Sequence, residues 1–277
     1  TYFLGRAHGF NSVHGRMPSV ATGASLANRD LTYIGISGDG DTASIGMGQF
    51  IHLIRRNVNM TYIVANNGCY GLTKGQDSAT ADLGSVSKLG KVNPFDGIDL
   101  ASLAILEGAS FVGRSFSGDK EQLEPLIQAA MAHNGFAFID VVSPCVTFNN
   151  HSGSTKSYGL TREQLDAMPL DFVPIREEIH TQYSEGTTKA VTLHDGSVIH
   201  LHKADANYKT EDRFGALNAV QKAKEEKRIL TGLLYLDPDT RDLNVTLDLA
   251  TGPLNELDKD ALCPGSKVLN SINEGLR

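Results

Sequence analysis

The stretch that decides the fold is LTYIGISGDGDTASIGMGQFIHLIRRNVNMTYIVANN, residues Leu31–Asn67. Its two apolar runs, LTYIGIS and MTYIVAN, have the length and the β-branched content of strands, and the segment between them has the length of a helix. MTYIVAN hardly alternates between apolar and polar residues, which indicates a strand that is buried on both faces. The stretch therefore predicts a strand, a helix and a second strand parallel to the first.

The same alternation of helices and short apolar strands continues to about Cys145. The predicted helices are PSVATGASLAN, TASIGMGQFIHLIRRN, LASLAILEG and KEQLEPLIQAAMAHNG, and the later strands are SFVGRS and FAFIDVV. This order predicts an α/β fold, a mostly parallel sheet with helices on both faces. The loop from Asn66 to Asp96 is too long for a simple connector, which indicates a binding site or an interface.

Beyond His151 the character of the sequence changes. AVTLHDGSVIHLHK predicts a β-hairpin that turns at Asp195-Gly196, and a charged helix, EDRFGALNAVQKAKEEKR, and a strand, LTGLLYLD, follow it. We therefore predict an α/β domain over residues 1–160 and a C-terminal lobe over residues 161–277. The lobe contains the hairpin and a tail, with DALCPGS in it, that contacts another subunit.

The composition excludes several classes of protein. The chain has 277 residues, of which 40% are hydrophobic and 21% charged, as expected of one large soluble domain or of a domain with an added lobe. No apolar run approaches the roughly 20 residues of a membrane-spanning helix, and the net charge of -7 argues against a nucleic-acid surface. Cys69, Cys145 and Cys263 lie far apart, so neither a disulfide framework nor a zinc site is readable, and we expect a cytoplasmic protein.

Polar clusters follow three of the predicted strands. GDGD comes after LTYIGIS, NNGCYGLTKGQ after MTYIVA, and SPC after FAFIDVV. In an open parallel sheet, ligands bind at the carboxyl ends of the strands, where loops and helix N-termini meet. The three clusters therefore predict one site at that edge of the sheet.

The GDGD cluster has the chemistry of a metal and phosphate site. Gly38 and Gly40 let the backbone approach a ligand closely, and the helix that follows directs free N–H groups at an anion such as a diphosphate. Asp39 offers a carboxylate to Mg²⁺, which prefers oxygen ligands. Further oxygen ligands would be the amide of Asn67 and the backbone carbonyl of Cys69.

Ordinary explanations exist for each part of this cluster. An isolated DG pair is more often a plain turn, and a calcium loop of the EF-hand type requires a later Gly and Glu that are missing here. The spacing between the GDG and NN motifs favours a cofactor site over these ordinary explanations. GDG at Gly38–Gly40 and NN at Asn66-Asn67, with Asp41 to Ala65 between them, resemble the thiamine-diphosphate fingerprint, in which the two ends of such a unit share one magnesium ion.

Several motifs in order extend this resemblance. HGRMPSVATGASLAN, GDGD, LIRRNVN, NNGCYGLTKGQ and SPCVTFNN are similar to the β subunit of 2-oxoacid:ferredoxin oxidoreductases, of the 2-oxoglutarate type. The resemblance runs from Thr1 to about Asn150 and continues more loosely in LHDGSVIHL and TGLLYLD. It implies an enzyme that decarboxylates a 2-oxoacid oxidatively to its acyl-coenzyme A and CO₂, passes electrons through a [4Fe–4S] cluster to ferredoxin, and also runs in reverse to fix CO₂.

The resemblance also implies roles for the residues around the cofactor. Mg²⁺ would be held by Asp39, Asn67 and the carbonyl of Cys69. The other cofactor-binding residues would be Gly38, Gly40, Asp41, Tyr70, Gly71 and Leu72. His14, in HGR, would be a catalytic residue near the cofactor, although a histidine bonded to a neighbouring loop explains it equally well. Arg16 would contact a phosphate or an interface.

In the family, the YGLTKGQ segment lines the substrate pocket. Leu72 would shape this pocket, and Thr73 would bond to the substrate or the cofactor. Lys74 would pair with the distal carboxylate of 2-oxoglutarate, which favours that substrate over pyruvate. A solvated loop lysine is an equally good explanation of Lys74, because a single ammonium group has little geometric specificity.

The SPC motif implies an iron–sulfur ligand. Cys145 would be the last ligand of a [4Fe–4S] cluster, which needs four thiolates, although a buried cysteine is by default inert. The other three ligands in the family precede the region where this sequence begins. Either an N-terminal segment that carries them is missing from the sequence, or this version has no cluster. We favour the first, because the chain begins inside a family motif.

The resemblance implies partners as well. The glutamate that activates the thiamine pyrimidine ring would come from an α subunit, so the active site would lie at a subunit interface of an (αβ)₂ assembly. Ferredoxin, coenzyme A and a 2-oxoacid would be the other partners. One alternative is a non-redox thiamine-diphosphate decarboxylase or synthase with the same GDG and NN motifs. Another is a non-catalytic subunit, which intact Asp39 and Asn67 argue against.

Overall fold

The computed structural model describes residues 5–73, 75–86, 90–143, 179–193, 198–263 and 265–276. Lys74, Cys145, the predicted hairpin turn at Asp195-Gly196 and the predicted domain boundary near residue 160 lie outside the described residues. The described strands are β1 (Ile34–Gly38), β2 (Met60–Asn66), β3 (Cys69–Tyr70), β4 (Gln76–Asp77), β5 (Phe111–Phe116), β6 (Phe136–Val142), β7 (Thr188–Thr192), β8 (Val198–Lys203) and β9 (Ile229–Leu236). The described α-helices are α1 (Met17–Ala27), α2 (Met47–Arg56), α3 (Leu100–Glu107), α4 (Lys120–Ala132), α5 (Arg213–Glu225), α6 (Leu243–Thr246), α7 (Lys259–Leu262) and α8 (Gly265–Gly275).

Seven of the described strands form one sheet, in the order β1-β2-β6-β5-β9-β8-β7. Strands β1, β2, β6 and β5 are parallel to one another. Strand β9 is antiparallel to β5 and parallel to β8, and β7 is antiparallel to β8. The predicted α/β fold with a mostly parallel sheet is therefore confirmed.

Helices cover both faces of this sheet. Alternate side chains of β6 point to opposite faces, so that Phe136 and Phe138 join the core under α2, α3 and α5. Ala137 and Ile139 pack instead against Leu126 and other apolar side chains of α4. Because both faces are covered, these strands are apolar almost throughout their length, as expected of parallel strands.

The strand register brings three carboxyl ends to one edge of the sheet. Gly38, the last residue of β1, pairs with Ala65, and Asn66, the last residue of β2, pairs with Val142 at the end of β6. The loops that leave these strands therefore start side by side. This edge is where the sequence predicts a site.

The helix predicted over TASIGMGQFIHLIRRN is in fact two segments. A π-helical turn, Gly40–Ile45, ends at Gly46, whose N–H donates to the carbonyl of Asp41 at 2.8 Å, and α2 begins at Met47. A Cβ atom on Gly46 would lie 2.9 Å from the Cα of Gly15, so another part of the chain crosses here. The close approach of Gly15 therefore leaves no room for a side chain at this break.

The C-terminal strands extend the same sheet. The two strands of the predicted hairpin, β7 and β8, pair in an antiparallel register from Thr188 opposite His202 to Thr192 opposite Val198. Whether residues 161–277 form a separate lobe stays a prediction. Among the described residues, no helix has the length and apolar character needed to cross a membrane.

Candidate functional site

The carboxylate of Asp39 is the centre of the site. Asp39 follows β1 directly and is only 1% exposed. Its Oδ1 accepts a hydrogen bond from the N–H of Asn67 at 3.2 Å. Its Oδ2 accepts hydrogen bonds from the N–H of Gly68 at 3.1 Å, the hydroxyl of Thr80 at 2.6 Å and the hydroxyl of Ser78. These donors offset the free-energy cost of burying a carboxylate.

The oxygen atoms here fit a hard divalent cation. Oδ2 of Asp39 accepts three hydrogen bonds, but Oδ1 accepts one from the described residues, which leaves a lone pair on Oδ1 for a metal. Asn67 follows β2, and its amide oxygen accepts the N–H of Cys69 at 3.1 Å. Three His, Cys, Asp or Glu side chains do not converge anywhere in the described ranges. The donor set is one carboxylate with neutral oxygens, which suits Mg²⁺ that also binds a phosphate.

The two glycines of GDGD differ in their surroundings. A Cβ atom on Gly38 would meet no heavy atom within 4 Å, so there is open space beside the end of β1. A Cβ atom on Gly40 would lie 2.5 Å from the ring of Tyr70, whose hydroxyl donates to the carbonyl of Gly40 at 3.2 Å. Gly38 thus leaves room for a ligand such as a diphosphate, and Gly40 makes room for Tyr70.

Asp41 joins the GDGD turn to the HGR motif. Its Oδ1 accepts the N–H of Gly15 at 2.9 Å and lies 2.6 Å from Nδ1 of His14, and its Oδ2 accepts the hydroxyl of Ser37 at 2.6 Å. Because the carboxylate accepts, Nδ1 of His14 carries the proton in this pair. The His14 side chain is 74% exposed. The structure therefore brings His14 to the predicted site, with most of its ring open to solvent.

A buried polar network behind Asp39 was not predicted from the sequence. The hydroxyl of Thr80 lies 3.1 Å from the amide oxygen of Asn66, whose nitrogen donates to Oδ1 of Asp140 at 3.0 Å. Nε of Arg114 donates to Oδ2 of Asp140 at 2.9 Å, and Nη2 donates to Asp99 at 2.6 Å. The available signal was an arginine and an aspartate inside the apolar strands SFVGRS and FAFIDVV.

Attraction between opposite charges keeps the side chains of Asp99 and Arg114 ionised. Burial alone raises the pKa of the Asp99 carboxyl, but the Arg114 guanidinium and the N–H of Ser102 act together in the opposite direction and leave that pKa below its usual value. Burial alone would lower the pKa of Arg114, but the carboxylates of Asp99 and Asp140 raise it by more. The pKa of Arg114 therefore lies above its usual value. Arg114 is therefore a permanent cation between two carboxylates.

The fold and the residues at the edge of the sheet agree with a known family. Residues 1–141 match the family described as thiamine pyrophosphate enzyme, C-terminal TPP binding domain. The chain belongs to this family. The predicted recognition as a thiamine-diphosphate protein is thereby confirmed, and GDGD lies inside the matched region.

Individual relatives of the chain carry more specific names. The chain is 46% identical over 197 residues to the 2-oxoacid:ferredoxin oxidoreductase subunit beta of Saccharolobus solfataricus, which covers 70% of this chain and 64% of that protein. It is 43% identical over 155 residues to the 2-oxoglutarate oxidoreductase subunit KorB of Mycobacterium tuberculosis. This match covers 54% of this chain and 40% of that protein. The chain thus spans about half the length of the curated relatives that it matches.

A solved structure is similar as well. It is the 2-oxoglutarate:ferredoxin oxidoreductase from Magnetococcus marinus with 2-oxoglutarate, coenzyme A and succinyl-CoA bound. The match has a TM-score of 0.64 and 29% sequence identity, and it covers 85% of this chain and 66% of that chain.

The predicted substrate segment is exposed at Leu72 and Thr73. Leu72 is 90% exposed, and the hydroxyl of Thr73 donates to the side-chain oxygen of Gln76 at 2.5 Å. Gly71 is half-buried, and Arg16 is exposed at the start of α1. Their predicted roles in a pocket or at an interface, like those of Lys74 and Cys145, stay predictions.

Proposed function

We propose that this chain is the β subunit of a 2-oxoacid:ferredoxin oxidoreductase that acts on 2-oxoglutarate. The observation that carries the proposal is the buried Asp39 carboxylate beside Asn67, at the meeting of two strand ends in a thiamine pyrophosphate enzyme domain. The names of the relatives and the 2-oxoglutarate bound in the similar structure support the choice of reaction and substrate.

In this proposal, Asp39, Asn67 and the carbonyl of Cys69 hold Mg²⁺, and Gly38 borders the diphosphate. When bound, thiamine diphosphate supplies a thiazolium carbon that adds to a keto carbon and accepts the electron pair released with CO₂. His14 is held by Asp41 at the open side of the site, where its exposed ring can contact a ligand. The protein fixes and orients the charged groups so that little reorganisation is needed during reaction.

The overall reaction balances with two one-electron acceptors. One 2-oxoacid, one coenzyme A thiol and two oxidised ferredoxins give one acyl-coenzyme A, one CO₂, one proton and two reduced ferredoxins, and the reverse reaction fixes CO₂. Cys145 is one thiolate of the [4Fe–4S] cluster that carries the electrons. An α subunit covers the open side of the site and supplies a glutamate to the cofactor, in a cytoplasmic (αβ)₂ assembly.

The metal role is tested with Asp39→Asn in the full-length subunit, co-expressed with its α subunit. Loss of the carboxylate charge should weaken binding of Mg²⁺-thiamine diphosphate by at least about 100-fold, because a charged ligand is removed from a hard cation. Isothermal calorimetry gives the Kd. Asp30→Ala, at an exposed position, is the control and should bind as the wild type does. Equal affinity of Asp39→Asn and the wild type would disprove the metal role.

The substrate is tested with Lys74→Ala. If Lys74 pairs with the distal carboxylate, the substitution should raise KM for 2-oxoglutarate at least about tenfold and leave KM for pyruvate nearly unchanged. Steady-state kinetics with both substrates measures this. Lys189→Ala, at an exposed position on β7, is the matched control. An equal effect on the two substrates would remove the proposed pairing.

The redox assignment is tested by colour. The full-length subunit should be brown, with the broad visible absorbance of an iron–sulfur cluster, and Cys145→Ser should lose that absorbance. Cys263→Ser, at an exposed cysteine, should keep it. A colourless wild-type protein that still decarboxylates 2-oxoacids would instead identify a non-redox thiamine-diphosphate enzyme.

A further inference from the structure

The strongest feature without a defined role in the reaction is the pair formed by Asp41 and His14. The family resemblance implies that Asp41 borders the diphosphate, but an ionised carboxylate has no hydrogen to donate to a phosphate and repels its charge. The contacts of Asp41 are with the protein instead. Oδ1 accepts the N–H of Gly15 at 2.9 Å and lies 2.6 Å from Nδ1 of His14, and Oδ2 accepts the hydroxyl of Ser37 at 2.6 Å.

These contacts fix both the position and the tautomer of His14. The next residue, Gly15, is held by Asp41 and also packs closely on Gly46, where a Cβ atom on Gly15 would lie 2.9 Å from the backbone nitrogen. Because the carboxylate accepts, Nδ1 of His14 carries the hydrogen, and Nε2 of the neutral ring keeps its lone pair. Nε2 accepts no hydrogen bond from the described residues. The pair therefore presents a basic nitrogen at the open side of the site.

A free acceptor at Nε2 selects among the ligands of the proposed reaction. The diphosphate and the carboxylates of 2-oxoglutarate are ionised near neutral pH, so they also only accept hydrogen bonds. The thiol of coenzyme A carries a hydrogen, and it is the source of the one proton that the balanced reaction releases. An imidazole is the side chain that most often moves a proton near neutral pH.

We propose that His14, held by Asp41, takes the proton from the thiol of coenzyme A, and that Asp41 is the positioning residue for this transfer. This inference rests on the proposed function, because it takes coenzyme A as the acyl acceptor. The coenzyme A and succinyl-CoA bound in the similar solved structure support that choice.

The step balances without a further reactant. The S–H bond of the thiol breaks and an N–H bond forms at Nε2 of His14. The sulfur then bonds to the acyl carbon, and the bond from that carbon to its carrier breaks, with the electron pair left on the carrier carbon. The two electrons of the oxidation go to the two ferredoxins, so this step is not itself a redox step. The His14 side chain is 74% exposed, so the ring can release the proton to water.

The test is His14→Asn in the full-length subunit, assembled with its α subunit. The new amide nitrogen can replace Nδ1 as the donor to Asp41, but nothing in asparagine replaces Nε2. In a single turnover, formation of succinyl-CoA from 2-oxoglutarate should slow by at least about 100-fold, as expected on loss of a general base. Release of CO₂ measured without coenzyme A should stay within about twofold of the wild type, because that step does not involve the thiol.

Measurements of binding and stability separate this role from support of the fold. His14→Asn keeps the bond to Asp41, so its melting temperature should stay within about 1 °C of the wild type. The Kd values of Mg²⁺-thiamine diphosphate and of coenzyme A, from calorimetry, should stay within about twofold. His8→Asn, at an exposed position, is the control and should behave as the wild type in every assay.

Two results for His14→Asn would overturn the proposal. Succinyl-CoA formation at the wild-type rate would show that His14 only joins the HGR motif to the GDGD turn. An equal slowing of CO₂ release would show that Nε2 serves the cofactor or the 2-oxoacid instead of the thiol.

Chemical rescue tests proton transfer directly. In His14→Ala, imidazole added to the solution should restore succinyl-CoA formation by at least about tenfold, because the exposed position leaves room for a free base. Lack of rescue, together with a wild-type rate in His14→Asn, would exclude a base at this position.

A double-mutant cycle tests the part played by Asp41. Asp41→Ala should slow succinyl-CoA formation, and it should have no further effect in the His14→Asn background. Its Kd for Mg²⁺-thiamine diphosphate should stay within about threefold of the wild type, unlike that of Asp39→Asn. Additive effects on the rate, or a loss of cofactor affinity as large as in Asp39→Asn, would remove the positioning role.

If Asp41→Ala does not fold, His14→Asn and the imidazole rescue decide the proposal. A wild type that binds no thiamine diphosphate or releases no CO₂ would refute the proposed function itself, which is a different outcome.

Discussion

At the scale of single residues, Gly38 and Gly40 are two positions apart and meet different requirements. Gly38 borders open space, where a Cβ atom would meet no heavy atom within 4 Å. Gly40 is packed against the ring of Tyr70, where even a methyl group would overlap. The packing of the described residues therefore constrains Gly40 and leaves room for a Cβ atom at Gly38.

Substitution of Gly40 should show this constraint directly. Gly40→Ala places a methyl group 2.5 Å from the Tyr70 ring, so the ring must move, and we expect the free energy of unfolding to fall by about 1–3 kcal/mol. Urea unfolding measures the change. Gly48→Ala is the control, because its Cβ meets no atom within 4 Å on the exposed side of α2, and it should stabilise the chain by about 0.5–1 kcal/mol. Equal stability of the two variants would contradict this explanation of Gly40.

At the scale of elements, polar side chains join the strands at the end of the sheet opposite the site. The hydroxyl of Ser110, before β5, lies 2.8 Å from Nε2 of His133 and 2.9 Å from the amide oxygen of Asn57, which follows α2. Asn57 also accepts the N–H of Phe136 at 2.8 Å and donates to the carbonyl of Arg241 at 2.9 Å. One cluster thus ties α2, α4, β5, β6 and the segment before α6.

This cluster makes stability depend on pH through His133. Burial lowers the pKa of His133 below 6.5, and Asp237 offsets part of that shift. The unfolded chain therefore takes up the proton first as the pH falls. The contribution is fully present above about pH 6.5 and is lost as the pH falls toward the folded-state pKa.

Removal of the imidazole should flatten this dependence. His133→Gln should lose less stability than the wild type between about pH 7 and about pH 5.5, as measured by urea unfolding at each pH. His200→Gln, at an exposed position on β8, is the control. Parallel pH profiles for the wild type and His133→Gln would show that His133 does not titrate as described.

The ion pairs between β5, β6 and α3 are a second prediction at this scale. Arg114→Met leaves the buried carboxylates of Asp99 and Asp140 without a cation, so we expect a loss of about 3–5 kcal/mol in the free energy of unfolding. Urea unfolding again measures it. Arg55→Met, at an exposed position in the last turn of α2, should change stability by less than about 0.5 kcal/mol. If Arg114→Met lowered the free energy of unfolding as little as Arg55→Met does, water would have to reach the buried carboxylates of this cluster.

At the scale of the whole molecule, the described residues leave the site open on one side. Gly38 borders free space, Leu72 is 90% exposed and His14 presents most of its ring to solvent. A cofactor bound here would keep much of its surface in water unless residues outside the described ranges or another chain covered it. The exposed side therefore fits the α subunit of the proposed enzyme.

Cofactor affinity should consequently depend on assembly. The subunit alone should bind Mg²⁺-thiamine diphosphate at least about tenfold more weakly than the assembled enzyme, because a closed site strengthens the electrostatic interactions inside it. Calorimetry on the separated and assembled forms measures the ratio. Equal affinities would indicate that this chain forms the cofactor site by itself.

The features of the fold and the site that could be predicted from the sequence are those that depend on local residue patterns and on where strands end. The strand MTYIVAN matches β2 residue for residue, because an apolar run bounded by Asn59 and Asn67 leaves little choice of register. The contact of Gly46 with Gly15 was missed because the two residues are far apart in the sequence. Ser78 and Thr80 were missed as partners of Asp39 for the same reason, since they lie in a loop without periodicity that folds back onto the strand end.

The carboxylate of Asp39 also helps to order the long loop after β2 through hydrogen bonds. It accepts hydrogen bonds from Gly68 near the start of the loop and from Thr80 well along it, and it orders this stretch together with the bond from the N–H of Ser78 to the carbonyl of Gly68. Loss of Asp39 should therefore loosen this segment and raise its sensitivity to proteases, separately from any effect on a cofactor. An aspartate at this position is explained by the order of the loop as well as by metal binding, so its presence alone does not distinguish a catalytic chain from a non-catalytic one.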